Sequence, residues 1–165
     1  MKRNKTLKSL VGLALSASIL ASTTAFAQLV SVSSIVEHPA LDSIRDGVKQ
    51  ALTDAGYTED KGLEWQFQTE QGNTAIASQI ARKFVGDKSD VIVAISTPSA
   101  QAVVAATKSI PVLYSGVTDP VAAQLVPSWD PSKTNVSGVS DMLVLEKQPE
   151  LIKKVAPDAK TVGMV

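Results

Sequence analysis

Three short segments place side chains able to hold a small charged molecule next to a proline that can open a helix: Glu37-His38-Pro39, Ser96-Thr97-Pro98 and Thr118-Asp119-Pro120. Each follows an apolar, largely β-branched run, so each reads as a strand end feeding a helix start. Proline fits the first helical position, where its missing N–H would have no partner in any case. A helix start leaves backbone N–H groups unpaired and carries a partial positive charge, which suits an anion such as a carboxylate. Ser96, Thr97 and Ser99 set hydroxyls beside such N–H groups; they can receive a ligand carboxylate or simply cap their own helix. Glu37 and Asp119 could meet a ligand ammonium. Asp119 is also a natural N-cap, whereas Glu37 has no obvious cap or i,i+4 partner. His38 fits a cap or a rim better than a catalyst, because no nucleophile motif accompanies it.

Several chemistries are absent from the sequence. With no Cys and one His, the chain has no thiol nucleophile, no thiolate metal site and no His-rich cluster. No G-x-G-x-x-G follows the first strand and no G-x-x-x-x-G-K-[ST] occurs, so nucleotide phosphate binding is disfavoured and no cofactor is implied. The reading that follows is a binding protein without catalytic residues. Its rival is an exported α/β enzyme or sensor domain that uses Glu37 and Asp119 as a carboxylate pair.

The elements that must position these residues alternate. Leu29–Val36 reads as a strand buried on both faces. After Pro39, Leu41, Ile44, Val48, Leu52 and Ala55 recur at helical spacing, and Gly56 ends the helix. Leu63–Gln68 alternates like a half-buried strand near an edge, where Trp65 and Tyr57 would pack. Asn73 caps a helix whose stripe is Ile76, Ala77, Ile80, Ala81, Phe84 and Val85. Val91–Ile95 is a central strand, and Ala100, Val103, Val104 and Thr107 mark the helix behind it. Pro111–Ser115 is the next strand, and Asp119-Pro120 is expected to start a helix with Val121, Ala122 and Leu125 inward. Trp129 sits in a Pro-flanked loop over core or cleft, and Val136–Val139 is a short strand ending at Ser140-Asp141. Glu146–Ala156 is a helix with Pro149 in its first turn, followed by a Pro157-Asp158 turn and an apolar strand over Thr161–Val165. Strand and helix in alternation imply an α/β fold with a doubly wound parallel sheet. Its crevice lies outside the carboxyl ends of the strands, where strand order reverses. Residues 28–141 make one lobe; 142–165 read as the start of a second, truncated one.

The first residues look like a leader. Lys2, Arg3, Lys5 and Lys8 precede an apolar run from Leu10 to Leu20, and Ala25-Phe26-Ala27 is an A-x-A cleavage site. The run falls short of the roughly 20 residues that span a bilayer. Removing residues 1–27 would expose Gln28 in the periplasm, with no cysteine available for lipid anchoring. Of the chain's 16 basic residues, the four in the leader would be lost against 16 acidic ones kept. The resulting net negative charge gives no support for nucleic-acid binding.

The segments Ile35-Val36-Glu37-His38-Pro39-Ala40-Leu41-Asp42, Ser96-Thr97-Pro98-Ser99-Ala100-Gln101, Val117-Thr118-Asp119-Pro120-Val121-Ala122 and Val136-Ser137-Gly138-Val139-Ser140-Asp141 resemble the tryptophan/tyrosine-type ABC transporter substrate-binding proteins. Ala159-Lys160-Thr161-Val162-Gly163-Met164-Val165 is similar to the strand that opens that family's second lobe. The resemblance implies a two-lobed periplasmic binding protein of the type I class, which clamps an amino acid between its lobes and delivers it to an inner-membrane permease. The ligand is aromatic (tryptophan, tyrosine or phenylalanine) in the best-matching branch. Carried over by motif, Glu37, Ser96, Thr97, Ser99, Asp119 and Asp141 line the first-lobe rim. The family runs roughly twice this length, so most of the second lobe is absent from this sequence.

Overall fold

The computed structural model describes residues 27–131, 133–143 and 147–163. The leader, apart from Ala27, lies outside the described residues, as do Glu146, Met164 and Val165.

Five strands form one parallel sheet: β1 (Gln28–Ser34), β2 (Leu63–Thr69), β3 (Val91–Ile95), β4 (Val112–Val117) and β5 (Val136–Ser140). Their order is β2-β1-β3-β4-β5, so β1 and β3 lie side by side at the centre and β2 is an edge. The helices are α1 (Pro39–Asp54), α2 (Thr74–Gly86), α3 (Thr97–Ala106) and α4 (Lys147–Val155). Leu41, Ile44, Val48 and Leu52 of α1 pack over Val30, Val32, Leu63, Val93 and Ile95 on one face. On the other face, Ile80, Ala81 and Phe84 of α2 and Ala100, Val103 and Val104 of α3 enclose Ile92, Ala94, Val112, Tyr114 and Val136. The doubly wound parallel sheet expected from the alternating pattern is the architecture observed.

Local signals set most boundaries. Asn73 accepts from the N–H groups of Ala75 and Ile76 and so caps α2. At the end of α1, Gly56 takes φ +86°, its N–H reaching the Thr53 carbonyl while that of Tyr57 reaches Leu52. This pair of bonds satisfies carbonyls that the helix end would leave free. Arg45 and Lys49 of α1 lie 4.9 and 5.7 Å over the Phe67 and Trp65 rings, so basic side chains cover the aromatic residues of the edge strand. Tyr57 is exposed. Trp129, 59% exposed, lines a hollow over β4 and β5 with Tyr114 and Gly138 rather than joining the core.

Two expected elements differ. The Asp119-Pro120 helix is a single turn: Ala123 N–H reaches the Asp119 carbonyl, after which Gln124 takes φ +59° and the Leu125 N–H closes back on Pro120. A non-glycine residue in the left-handed region ends helical propagation; Leu125 is buried as expected, but Val121 is only half-buried and Ala122 is exposed. The second is the strand over Thr161–Val165. Residues 161–163 join no ladder, because a strand needs a neighbour for its N–H and C=O groups and none lies beside them among the described residues. The remaining helix boundaries fall within a residue or two of expectation, α4 running Lys147–Val155 with Pro149 in its first turn.

Between β4 and β5 the register slips: Tyr114 pairs with Gly138 but Val117 with Ser140, so β4 carries an extra residue at a bulge that includes Gly116 at φ +64°. Gly138 lies so close to β4 that a Cβ there would fall on the Tyr114 carbonyl and ring. Gly138→Ala should therefore destabilise by about 1–3 kcal/mol. Gly47 faces open space in the middle of α1, so Gly47→Ala should stabilise by about 0.5–1 kcal/mol. Urea titrations of both variants check the opposite signs.

Candidate functional site

The carboxyl ends of all five strands share one edge of the sheet, and β1 and β3 diverge there because their following helices cover opposite faces. The crevice of an open α/β sheet forms at such a divergence. Glu37 and His38 follow β1, and Ser96, Thr97 and Ser99 follow β3. Thr118 and Asp119 follow β4, and Asp141 follows β5.

The β3 turn is the most constrained of these. Ser96 takes φ +88°, ψ +157°, a region that side-chain-bearing residues avoid at a cost of roughly 1–3 kcal/mol. Its N–H is fixed to the Ser115 carbonyl at 2.9 Å and its own carbonyl accepts from Ala100, which begins α3. Proline at position 98 supplies no N–H, and those of Thr97 and Ser99 have no partner among the described residues. Two N–H groups without a partner at a helix start, beside a strained residue, are a geometry suited to an anion. The Ser99 side chain turns away from it: Ser99 is fully buried, 3.1 Å from Ser96 Oγ, and donates to Glu70 Oε2 at 2.9 Å.

Glu70 is the residue that sequence reasoning missed. It continues the polar half of the β2 alternation, Glu64, Gln66 and Gln68, which reads as a solvent face. It is instead fully buried, because the Glu70 N–H bonds the Ser34 carbonyl and so carries the strand end in beside β1 and under α3. A signal was present in β1, whose Ser31 and Ser33 alternate on one face of a buried strand. Ser31 is satisfied by Ser89 and Gln66, each at 2.6 Å. Among the described residues Ser33 Oγ and Glu70 Oε1 have no hydrogen-bond partner within bonding distance. Burial pushes the Glu70 carboxyl above its ordinary range, with the Ser99 and Ser33 hydroxyls opposing that in part.

The other expected residues are less enclosed. Asp119 Oδ1 accepts from Val121 and Ala122 at 3.0 and 2.9 Å, the capping role open to it. Glu37 is exposed, and no hydrogen bond joins it to the β3 turn among the described residues. His38 caps α1, its Nδ1 accepting from Ala40. Asp141 is exposed and lines an open hollow of about 450 Å³ with Thr118, Met142 and Leu143. Ser140 Oγ donates to the Thr118 carbonyl there and ties the β5 end to the β4 end. Among the described residues no group of three or more His, Asp or Glu could hold a metal, and no helix is long and apolar enough to cross a membrane.

Residues 29–165 match the ABC transporter substrate binding protein family. The chain belongs to that family. It is 46% identical over 136 residues to the tyrosine-binding protein of Clostridioides difficile (strain R20291), covering 82% of this chain and 39% of that protein. It is similar to the crystal structure of a conserved domain protein from Vibrio cholerae, with 51% identity, a TM-score of 0.78 and coverage of 81% of this chain and 45% of that one. It is also similar to the ABC domain from Streptococcus pneumonia in complex with L-Trp, with 35% identity, a TM-score of 0.75 and coverage of 79% and 44%. This substrate-binding family chain thus spans less than half the length of these relatives.

The raised carboxyl of Glu70 makes stability depend on pH. Below the ordinary value of 4.5 both folded and unfolded chains hold the proton and no penalty exists. As pH rises past it the unfolded chain ionises first, so stability falls until the folded carboxyl also ionises, and the loss is then complete. Glu70→Gln removes that loss. Its stability relative to wild type should rise from pH 4 to pH 8, as read in urea melts; a constant difference would contradict the assignment.

Proposed function

We propose that this chain forms the first lobe of an exported amino-acid-binding component of an ABC importer. The ligand carboxylate sits on the Ser96-Thr97-Ser99 turn, and its ammonium meets the carboxylates of Asp119 or Glu37, with Asp141 on the same rim. The observation that carries this is the pair of N–H groups without a partner among the described residues at the strained start of α3, beside the β1/β3 divergence. The relatives named for tyrosine and crystallised with L-Trp favour an aromatic amino acid as ligand. A binding role without catalysis agrees with that kinship. Residues from 142 onward lead into a second lobe that completes the cleft, and an inner-membrane permease receives the ligand. Residues 1–27 act as a cleavable leader to the periplasm. N-terminal sequencing of the protein from a Gram-negative periplasm should return Gln28; an intact Met1 in the cytosol would refute export.

Binding supplies the main test. In a full-length protein carrying this lobe, Asp119→Asn keeps an acceptor for the cap and removes the charge. Loss of a charge-assisted hydrogen bond should weaken L-tryptophan or L-tyrosine binding by about 1.5–3 kcal/mol, roughly ten- to a hundredfold, by calorimetry. Unchanged affinity in both Asp119→Asn and Glu37→Gln would make them structural residues only. Residues 28–165 alone should bind far more weakly than the full-length protein, since enclosure of a small ligand needs both walls. Micromolar binding by 28–165 would mean that one lobe suffices.

A further inference from the structure

We propose that Glu70 is a positioning residue for ligand binding: acting through Ser99, it decides whether the Ser96 hydroxyl offers a proton or a lone pair to the crevice. The inference rests on the carboxylate site proposed above at the start of α3. Three side chains form one line from interior to edge. Glu70 Oε2 is 2.9 Å from Ser99 Oγ, which is 3.1 Å from Ser96 Oγ. Glu70 and Ser99 have no exposure, while Ser96 retains 8%, so Ser96 is the outer end of the line.

A serine hydroxyl has one proton to donate. When Glu70 is ionised it can only accept, so Ser99 spends its proton on Oε2. Ser96 must then donate inward to Ser99, and its lone pairs are left for the crevice, where they repel a carboxylate. When Glu70 takes up a proton on Oε2, it donates to Ser99, Ser99 donates to Ser96, and the Ser96 proton is free for the ligand. No covalent bond other than O–H changes; the proton comes from solvent and returns to it on release. Carboxylate binding therefore draws a proton onto Glu70.

The surroundings allow this protonation. The side chains acting on Glu70 are hydroxyls, Ser33 of β1 and Ser99 of α3, and no ion pair includes it among the described residues. The first turn of α2, which follows it, carries no acidic residue. Burial favours the neutral acid. Glu37, His38, Asp119 and Asp141 are shared by every variant below, so differences between variants isolate Glu70.

The test is calorimetry of L-tryptophan binding to the full-length protein from about pH 4.5 to 8, run for wild type, Glu70→Gln and Ser99→Ala. Wild-type affinity should fall about tenfold or more as pH rises, with proton uptake visible as a dependence of the heat on buffer. In Glu70→Gln the amide can donate as the neutral acid does. That decline and the proton uptake should both vanish, leaving a profile flat within about twofold. Ser99→Ala breaks the line and should flatten the profile at a weaker affinity, which decides the matter should Glu70→Gln fold poorly. A wild-type profile that is already flat, or a decline that survives in a folded variant, overturns the role of Glu70 alone. Failure of wild type to bind L-tryptophan, L-tyrosine or L-phenylalanine at any pH overturns the proposed function and this inference with it.

Discussion

The parallel pairing of β1 with β3 is the constraint on which the rest of the molecule depends. A parallel neighbour can be reached only by a crossover, and the crossovers on the two sides of this pair run over opposite faces of the sheet. Two consequences follow from that one pairing. Both faces are covered, so β3 can be apolar on each side and β1 can bury Val30 and Val32 on one face and the hydroxyls of Ser31 and Ser33 on the other. The segments leaving the two strands also part company, and the Thr97 and Ser99 N–H groups at the start of α3 have no partner among the described residues.

Most of this architecture was legible because its signals are local. The Leu41, Ile44, Val48 and Leu52 stripe, the Asn73 cap, the Trp65 and Phe67 alternation and the proline after each of β1 and β3 each name an element without reference to the others. The turn after β4 was misjudged for a reason no local pattern carries. Proline and an aspartate cap announce a helix start, but Gln124 in the left-handed region stops it after one turn, and glutamine gives no warning of that conformation. The strand expected over Thr161–Val165 is a different case: it is described only to Gly163, and residues 161–163 have no neighbour to pair with among the described residues.

The candidate site divides in the same way. Residues whose role depends on the chain beside them, such as Asp119 as a cap and the free N–H groups of Thr97 and Ser99, could be read from the Pro-containing triplets. The strain at Ser96 and the burial of Glu70 could not. Ser96 owes its dihedrals to being fastened to β4 through Ser115 and to α3 through Ala100 at once. Glu70 owes its burial to the closing of α2 and α3 over a strand end that, in isolation, faces water. Both properties arise from contacts between elements distant in sequence.

The two helical layers are unequal. Four residues of α2 and four of α3 are buried, whereas none of the sixteen residues of α1 is; α1 rests on half-buried side chains and a row of cations above Phe67 and Trp65. Water reaches the rim of the α1 layer far more readily than the opposite one, so local opening costs least there. Since α1 starts at Pro39, on the same edge of the sheet as the Ser96 turn, that layer has the slack to take up small movements. The α2–α3 layer, anchored through Phe84 and Val103, keeps the Ser96 turn fixed in place. The fold is thus firm behind the Ser96 turn and compliant beside it.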